Sequence, residues 1–110
     1  MSETAVADPV DPRVSRELWS SFVSLLRSYA AAHGLNGTRQ AVLEVSEDSL
    51  LVRAGERLLA VRFDGERGSY RREAGPETEF TIDEHGCLMI AGDAEEMDMV
   101  AERLAREIMR

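Results

Sequence analysis

Lysine is absent from this chain of 110 residues, and all 13 of its basic side chains are arginine. No Schiff-base lysine, phosphate-loop lysine or kinase-type lysine can therefore act here. A single cysteine, Cys87, excludes an internal disulfide framework and any multi-cysteine metal site. No apolar run approaches the ~20 residues that a bilayer-spanning helix needs. Positive charge is also the minority sign, since 21 acidic residues leave a net charge of −8 at neutral pH. Phosphate binding depends on a basic face, so this balance argues against nucleic acid and equally against an anionic membrane surface. The opening residues Met1 to Pro9 are polar and acidic, unlike a secretory or transit peptide, and the expected location is the cytoplasm.

What is present is an ordinary globular composition, 44% apolar. A chain of this length holds one domain and buries roughly two thirds of its unfolded surface. Residues 1–10 carry Pro9, two acids and little to bury, and read as a flexible acidic tail; residues 11–110 read as a single α+β domain. Asp11-Pro12 resembles a helix start, with Ser15 a competing cap. From there Leu18, Phe22, Leu25, Leu26 and Tyr29 recur at helical spacing, widened by Trp19, Val23 and Ala30. Gly34 is expected to end this helix in the left-handed position.

Five turn signals then follow at near-regular intervals: Ser46 to Ser49, Gly55-Glu56, Asp64-Gly65, Gly75-Pro76 and Asp83 to Gly86. They predict strands over 40–46, 49–54, 57–64, 69–73, 78–82 and 87–91. The Gly55-Glu56 reversal fixes a register in which Ala54 faces Arg57, Val52 faces Leu59 and Leu50 faces Val61. Those apolar residues then share one side with Phe63, Phe80, Ile82, Leu88 and Ile90. The strand at 69–73 has one large apolar residue, Tyr70, which suits a strand that projects beyond the helical cover or lies at a sheet edge. Asp93, with Glu95 and Glu96 in a first turn, predicts the start of a last helix whose apolar stripe is Met97, Val100, Ala101, Leu104 and Ile108. The fold class is therefore α+β in two layers: an N-terminal helix, an antiparallel meander of five to six strands and a C-terminal helix, both helices on one face.

The same register turns Leu51, Leu58 and Ala60 outward, joined by Val42 and Met89. Arg53, Arg62 and Arg71 share that open face, with Glu44 and Glu79 as cross-strand partners. Five apolar residues on adjacent strands make a patch of the kind that a partner covers. The candidate interface is accordingly Val42, Leu51, Arg53, Leu58, Ala60, Arg62 and Met89. In a meander, alternate turns share one end of the sheet. That gathers Glu47, Asp48, Asp64, Glu66, Asp83 and Glu84 into an acidic rim able to hold a divalent cation or dock a basic segment.

Catalytic and metal residues are not assigned. His33 sits where a helix end offers carbonyls, and His85 sits in a reversal. Cys87 follows two acids that disfavour a thiolate, which suits a packed thiol. Asn36-Gly37-Thr38 reads as a turn, and the glycines form no phosphate loop. The expected function is a small, acidic, non-enzymatic binding or adaptor module that forms a homodimer through its open sheet face and uses no cofactor. The alternative is a carrier of an apolar small molecule, in a pocket lined by Trp19, Phe22, Tyr29, Phe63 and Phe80. In size and charge the format is similar to type III secretion chaperones, which implies partner binding; no helix is expected between the strands, unlike that family's layout.

Overall fold

A computed structural model describes residues 12–35, 41–73 and 75–109. The tail at 1–10, the cap Asp11 and the turn at Asn36 to Thr38 lie outside the described residues. The elements run α1 (Pro12–Leu35), β1 (Val42–Val45), β2 (Ser49–Ala54), β3 (Arg57–Phe63), β4 (Arg67–Arg72), β5 (Thr78–Ile82), β6 (Cys87–Ile90), β7 (Asp93–Glu96) and α2 (Met97–Met109). All seven strands form one antiparallel sheet in chain order, β1 to β7. The architecture is the expected two-layer α+β fold with one strand more than the sequence suggests. None of the described helices is long and apolar enough to cross a membrane.

The Gly55-Glu56 hairpin holds the expected register, pairing Ala54 with Arg57, Val52 with Leu59 and Leu50 with Val61. Period-two alternation then sends Leu50, Val52, Ala54, Leu59, Val61 and Phe63 to one side, where all are buried. Phe80, Ile82 and Leu88 continue that side, and Trp19, Phe22, Val23 and Leu26 of α1 close over it with Met97, Val100, Leu104 and Ile108 of α2. Both helices thus cover one face. They also meet each other: Tyr29 donates to Asp98, and His33 Nε2 lies 3.1 Å from Glu102 Oε2. The partners advance by one turn on each helix, so over this contact the helices run in the same direction.

Three expectations need correction. Asp93–Glu96 is a strand, not the first turn of the last helix, and α2 starts at Met97. Ala91 and Gly92 both take positive φ, 53° and 85°, which is the twist of a two-residue hairpin and sends the chain back along β6. Inward-facing Glu95, opposite Leu88, is tolerated there because Arg103 Nη1 meets its Oε1 at 2.6 Å. That bond holds the Arg103 guanidinium above its usual pKa, against the opposing effect of burial. At the other helix, Gly34 does not end α1, which runs through it to Leu35. The alanines at 30–32 are the strongest helix formers and carry the last turns.

The third correction concerns β4, which begins at Arg67 and occupies the middle of the sheet rather than an edge. Its shortage of apolar side chains is met by its neighbour. Gly68 sits opposite Phe80, whose ring lies flat over it; a Cβ at Gly68 would fall 2.2 Å from that ring. Phe80 in turn stacks on Phe63, with centroids 6.4 Å apart, and Phe63 stacks on Trp19 at 5.5 Å. The cluster's depth depends on Gly68 having no side chain. Gly68→Ala is expected to cost about 1–3 kcal/mol through overpacking, read from urea unfolding, with part of the loss recovered when Phe80→Leu is added.

Candidate functional site

The outward surface of the sheet can be laid out from the strand registers. One row runs Val42, Arg53, Leu58; the next runs Glu44, Leu51, Ala60, Arg71; a third runs Ser49, Arg62, Ser69, Glu79; a fourth runs Arg67, Thr81, Met89, Ala94. All seven candidate interface residues therefore lie on this face. Leu51 is the diagonal neighbour of both Val42 and Leu58 and directly opposite Ala60, so these four form one apolar cluster across β1 to β3. Val42 is its most open member at 59% exposed; Leu51, Leu58 and Ala60 are half-buried.

Met89 does not join them. It lies on β6, three strands from Ala60, about 14 Å at ordinary strand spacing. Ser69, Arg71, Glu79 and Thr81 occupy the strands between, so the sequence places Met89 on the right face but in the wrong neighbourhood. The charged neighbours also differ from expectation. Arg53, Arg62 and Arg71 are exposed, and among the described residues none forms an ion pair with Glu44, Glu79 or any other acid. Arg62 sits diagonally between Arg67 and Arg71, with Ser69 directly opposite it. Sequence reasoning missed Arg67, because residues 67 and 68 read as turn rather than strand.

The acidic rim is a geometric fact of the meander: the turns at 46–49, 64–67 and 83–87 share one end of the sheet. Two of its carboxylates, Asp64 and Asp83, are engaged by backbone donors of their own turns. Asp64 Oδ1 accepts the N–H groups of Glu66 and Arg67 at 2.9 and 2.8 Å, and Asp83 Oδ1 accepts those of His85 and Cys87, both at 2.9 Å. Trp19 Nε1 donates to the Glu47 carbonyl at 3.1 Å, which fastens α1 to the same end. Among the described residues no group of three or more His, Cys, Asp or Glu is placed to hold a metal ion. The cation reading of the rim therefore has no support here.

The remaining candidates are accounted for by local contacts. His33 meets Glu102, which also holds Arg106 at 3.2 Å, rather than terminal carbonyls. His85 lies 3.6 Å from Glu84 in an exposed turn, and the half-buried Cys87 is paired with Glu96. Trp19, Phe22, Phe63 and Phe80 pack on one another at 5.5 to 6.4 Å between centroids. No protein-family model, curated protein or solved structure matches the chain.

Backbone donors, from Arg67 first and then Glu66, hold the Asp64 carboxyl below its ordinary value of 3.8. A carboxyl depressed by folding contributes stability that is fully present above that ordinary value and is lost as pH falls through the depressed one. Asp64→Asn keeps an acceptor for the turn but cannot ionise. The variant is expected to be less stable than the native chain at pH 7, with the difference shrinking below about pH 4, as read from urea midpoints across that range. A difference that stays constant down to strong acid would contradict this assignment.

Proposed function

We propose that this chain is a small acidic protein-binding module, without catalytic activity, that pairs with a second copy of itself across its open sheet face. The observation that carries the reading is the composition of that face. An apolar centre made by Val42, Leu51, Leu58 and Ala60 is bordered by Arg53, Arg62 and Arg71, none of them engaged by an acid in the described chain. Glu44 and Glu79 stand on the same face, likewise without ion pairs. A two-fold pairing requires one patch to complement itself, and this patch holds an apolar middle and both signs of charge. Arginine is the basic residue best suited to forked pairing with carboxylates across such a contact.

The carrier alternative is less well supported. The rings that it would offer to a ligand stack on one another, and Tyr29 donates its hydroxyl to Asp98. A cytoplasmic location fits the composition and remains part of the proposal.

Static light scattering on the full chain tests the reading. The native protein is expected to scatter as an assembly, and the double variant Leu51→Glu with Leu58→Glu to halve its chain number while circular dichroism stays unchanged. A native protein that scatters as a single chain ends the proposal.

A further inference from the structure

A seven-stranded open sheet has two edges, and here they are treated differently. The β7 edge reads Asp-Ala-Glu-Glu, three acids in four residues, which repels strand addition. The β1 edge reads Val-Leu-Glu-Val, and it carries two of the most exposed large apolar residues of the described chain, Val42 at 59% and Val45 at 48%. Val45 is opposite Leu50 and therefore on the helix-covered face, yet it remains in the open. Beside it, α1 and β1 leave an open groove of about 520 Å³ lined by Ser24, Arg27, Ser28, Ala31 and Leu43. Among the described residues, unpaired backbone, exposed valines and an uncovered strip of the inner face coincide at one edge.

The backbone pattern shows what fits it. Ser46 N–H donates to the Ser49 carbonyl at 2.9 Å, so that pair closes the β1–β2 hairpin as a hydrogen-bonded one. Antiparallel ladders alternate, so Glu44 and Val42 also bond towards β2, while Ala41, Leu43 and Val45 aim their N–H and C=O groups out of the sheet. A second β1 meeting this edge about a two-fold axis must match inner face to inner face, which restricts the register. Centring it on Glu44 would set two like charges directly opposite and use only Leu43 and Val45. Centring it on Leu43 sets Leu43 against Leu43, Ala41 against Val45 and Val42 against Glu44. Every outward-aimed backbone group of 41, 43 and 45 then finds a partner, and the two glutamates are kept apart. The small residues Ser24, Ser28 and Ala31 leave room on the inner face for the incoming Val45.

We propose that a second copy of this chain adds to the free edge of β1 in the antiparallel register that pairs Leu43 with Leu43, joining two sheets into one. The contact is independent of the open-face pairing. Its axis stands perpendicular to the sheet at Leu43, while that of the face contact lies parallel to the sheet. A face axis running across the strands at the level of Leu43, Val52 and Leu59, midway between the rows of the apolar cluster, intersects it, and the two contacts then close into an assembly of four chains.

Light scattering on the full-length native chain and two variants separates the contacts. Val45→Pro removes an outward N–H that β2 does not use, and its proline sits at an edge where it is tolerated. Four chains are expected for the native protein, and two each for Val45→Pro and for Leu51→Glu with Leu58→Glu. A native assembly of two chains that Val45→Pro lowers to one, with the leucine variant unaffected, supports the edge and removes the face pairing. A native assembly that Val45→Pro leaves intact overturns the edge. Oxidative cross-linking in a Cys87→Ser background that also carries Leu51→Glu and Leu58→Glu, which removes the face contact on which Glu44 lies, checks the register without depending on the proline variant: Leu43→Cys should form a disulfide-linked dimer and Glu44→Cys should not. Linkage through Glu44→Cys in preference to Leu43→Cys overturns the proposed register.

Discussion

Side chains on a pleated strand alternate between two faces, and a hairpin of fixed length leaves no freedom about which face each one takes. In this protein the Gly55-Glu56 reversal sets that choice for β2 and β3, and every later relationship inherits it. Leu50, Val52, Leu59 and Val61 point to the helices because Ala54 faces Arg57. A slip by one residue would bury Arg53 and Arg62 and strip both helices of their floor. The same constraint necessarily produces the outer surface. Leu51, Leu58 and Ala60 face outward as the alternate neighbours of buried residues, so the open-face cluster and the core come from one register.

The central hairpin was legible in the sequence because turn chemistry and hydrophobic alternation agree there; β2 and β5 have the expected boundaries, Ser49–Ala54 and Thr78–Ile82. Agreement failed where one residue type serves two structures. Asp93, Glu95 and Glu96 suit the first turn of a helix by their charge, and the deciding feature was the preceding Ala91-Gly92 pair. An alanine at positive φ carries little signal in a sequence, so the seventh strand stayed hidden. Arg67-Gly68 failed for a different reason. A glycine beside a turn reads as more turn, and its requirement, the ring of Phe80 pressed against it, comes from another strand. Of the candidate site, face membership was legible from parity alone. Neighbourhood along the sheet was not, because it depends on how many strands intervene, and Met89 was misplaced for that reason.

Charge is distributed unevenly over the fold. Acidic residues concentrate in the turns at one end and on β7, where Asp64 and Asp83 each tie two or more backbone donors into a tight reversal. Seven of the arginines fall into two contrasting settings. Arg57, Arg72, Arg103 and Arg106 are bound to α2 or from it, with Arg57 donating to the Glu107 carbonyl at 3.0 Å and Arg72 paired with the Glu107 side chain. Cations at a helix C-terminus oppose its dipole favourably, and Arg57, Arg72 and Arg103 anchor α2 against the sheet, whereas Arg106 pairs with Glu102 within the helix. Arg53, Arg62 and Arg71 have no such partner. A net charge of −8 therefore coexists with a locally basic, partly apolar sheet face.

Two helices are too few to cover seven strands on one side and leave the other side bare. Where they rest decides which polar backbone and apolar side chains remain in water. α2 follows directly from β7 and contacts β7, β6, β2 and β3, while α1 packs near the turn end through Trp19 and reaches β5. The strip left over is the inner face of β1, bounded by the small residues of α1. Among the described residues nothing shields the strand there. β7 meets the same difficulty with carboxylates; β1, with Glu44 alone, does not. An edge that is apolar, unblunted and able to match a copy of itself in one register is geometrically suited to extension, which is why the two ends of this sheet should behave differently in solution.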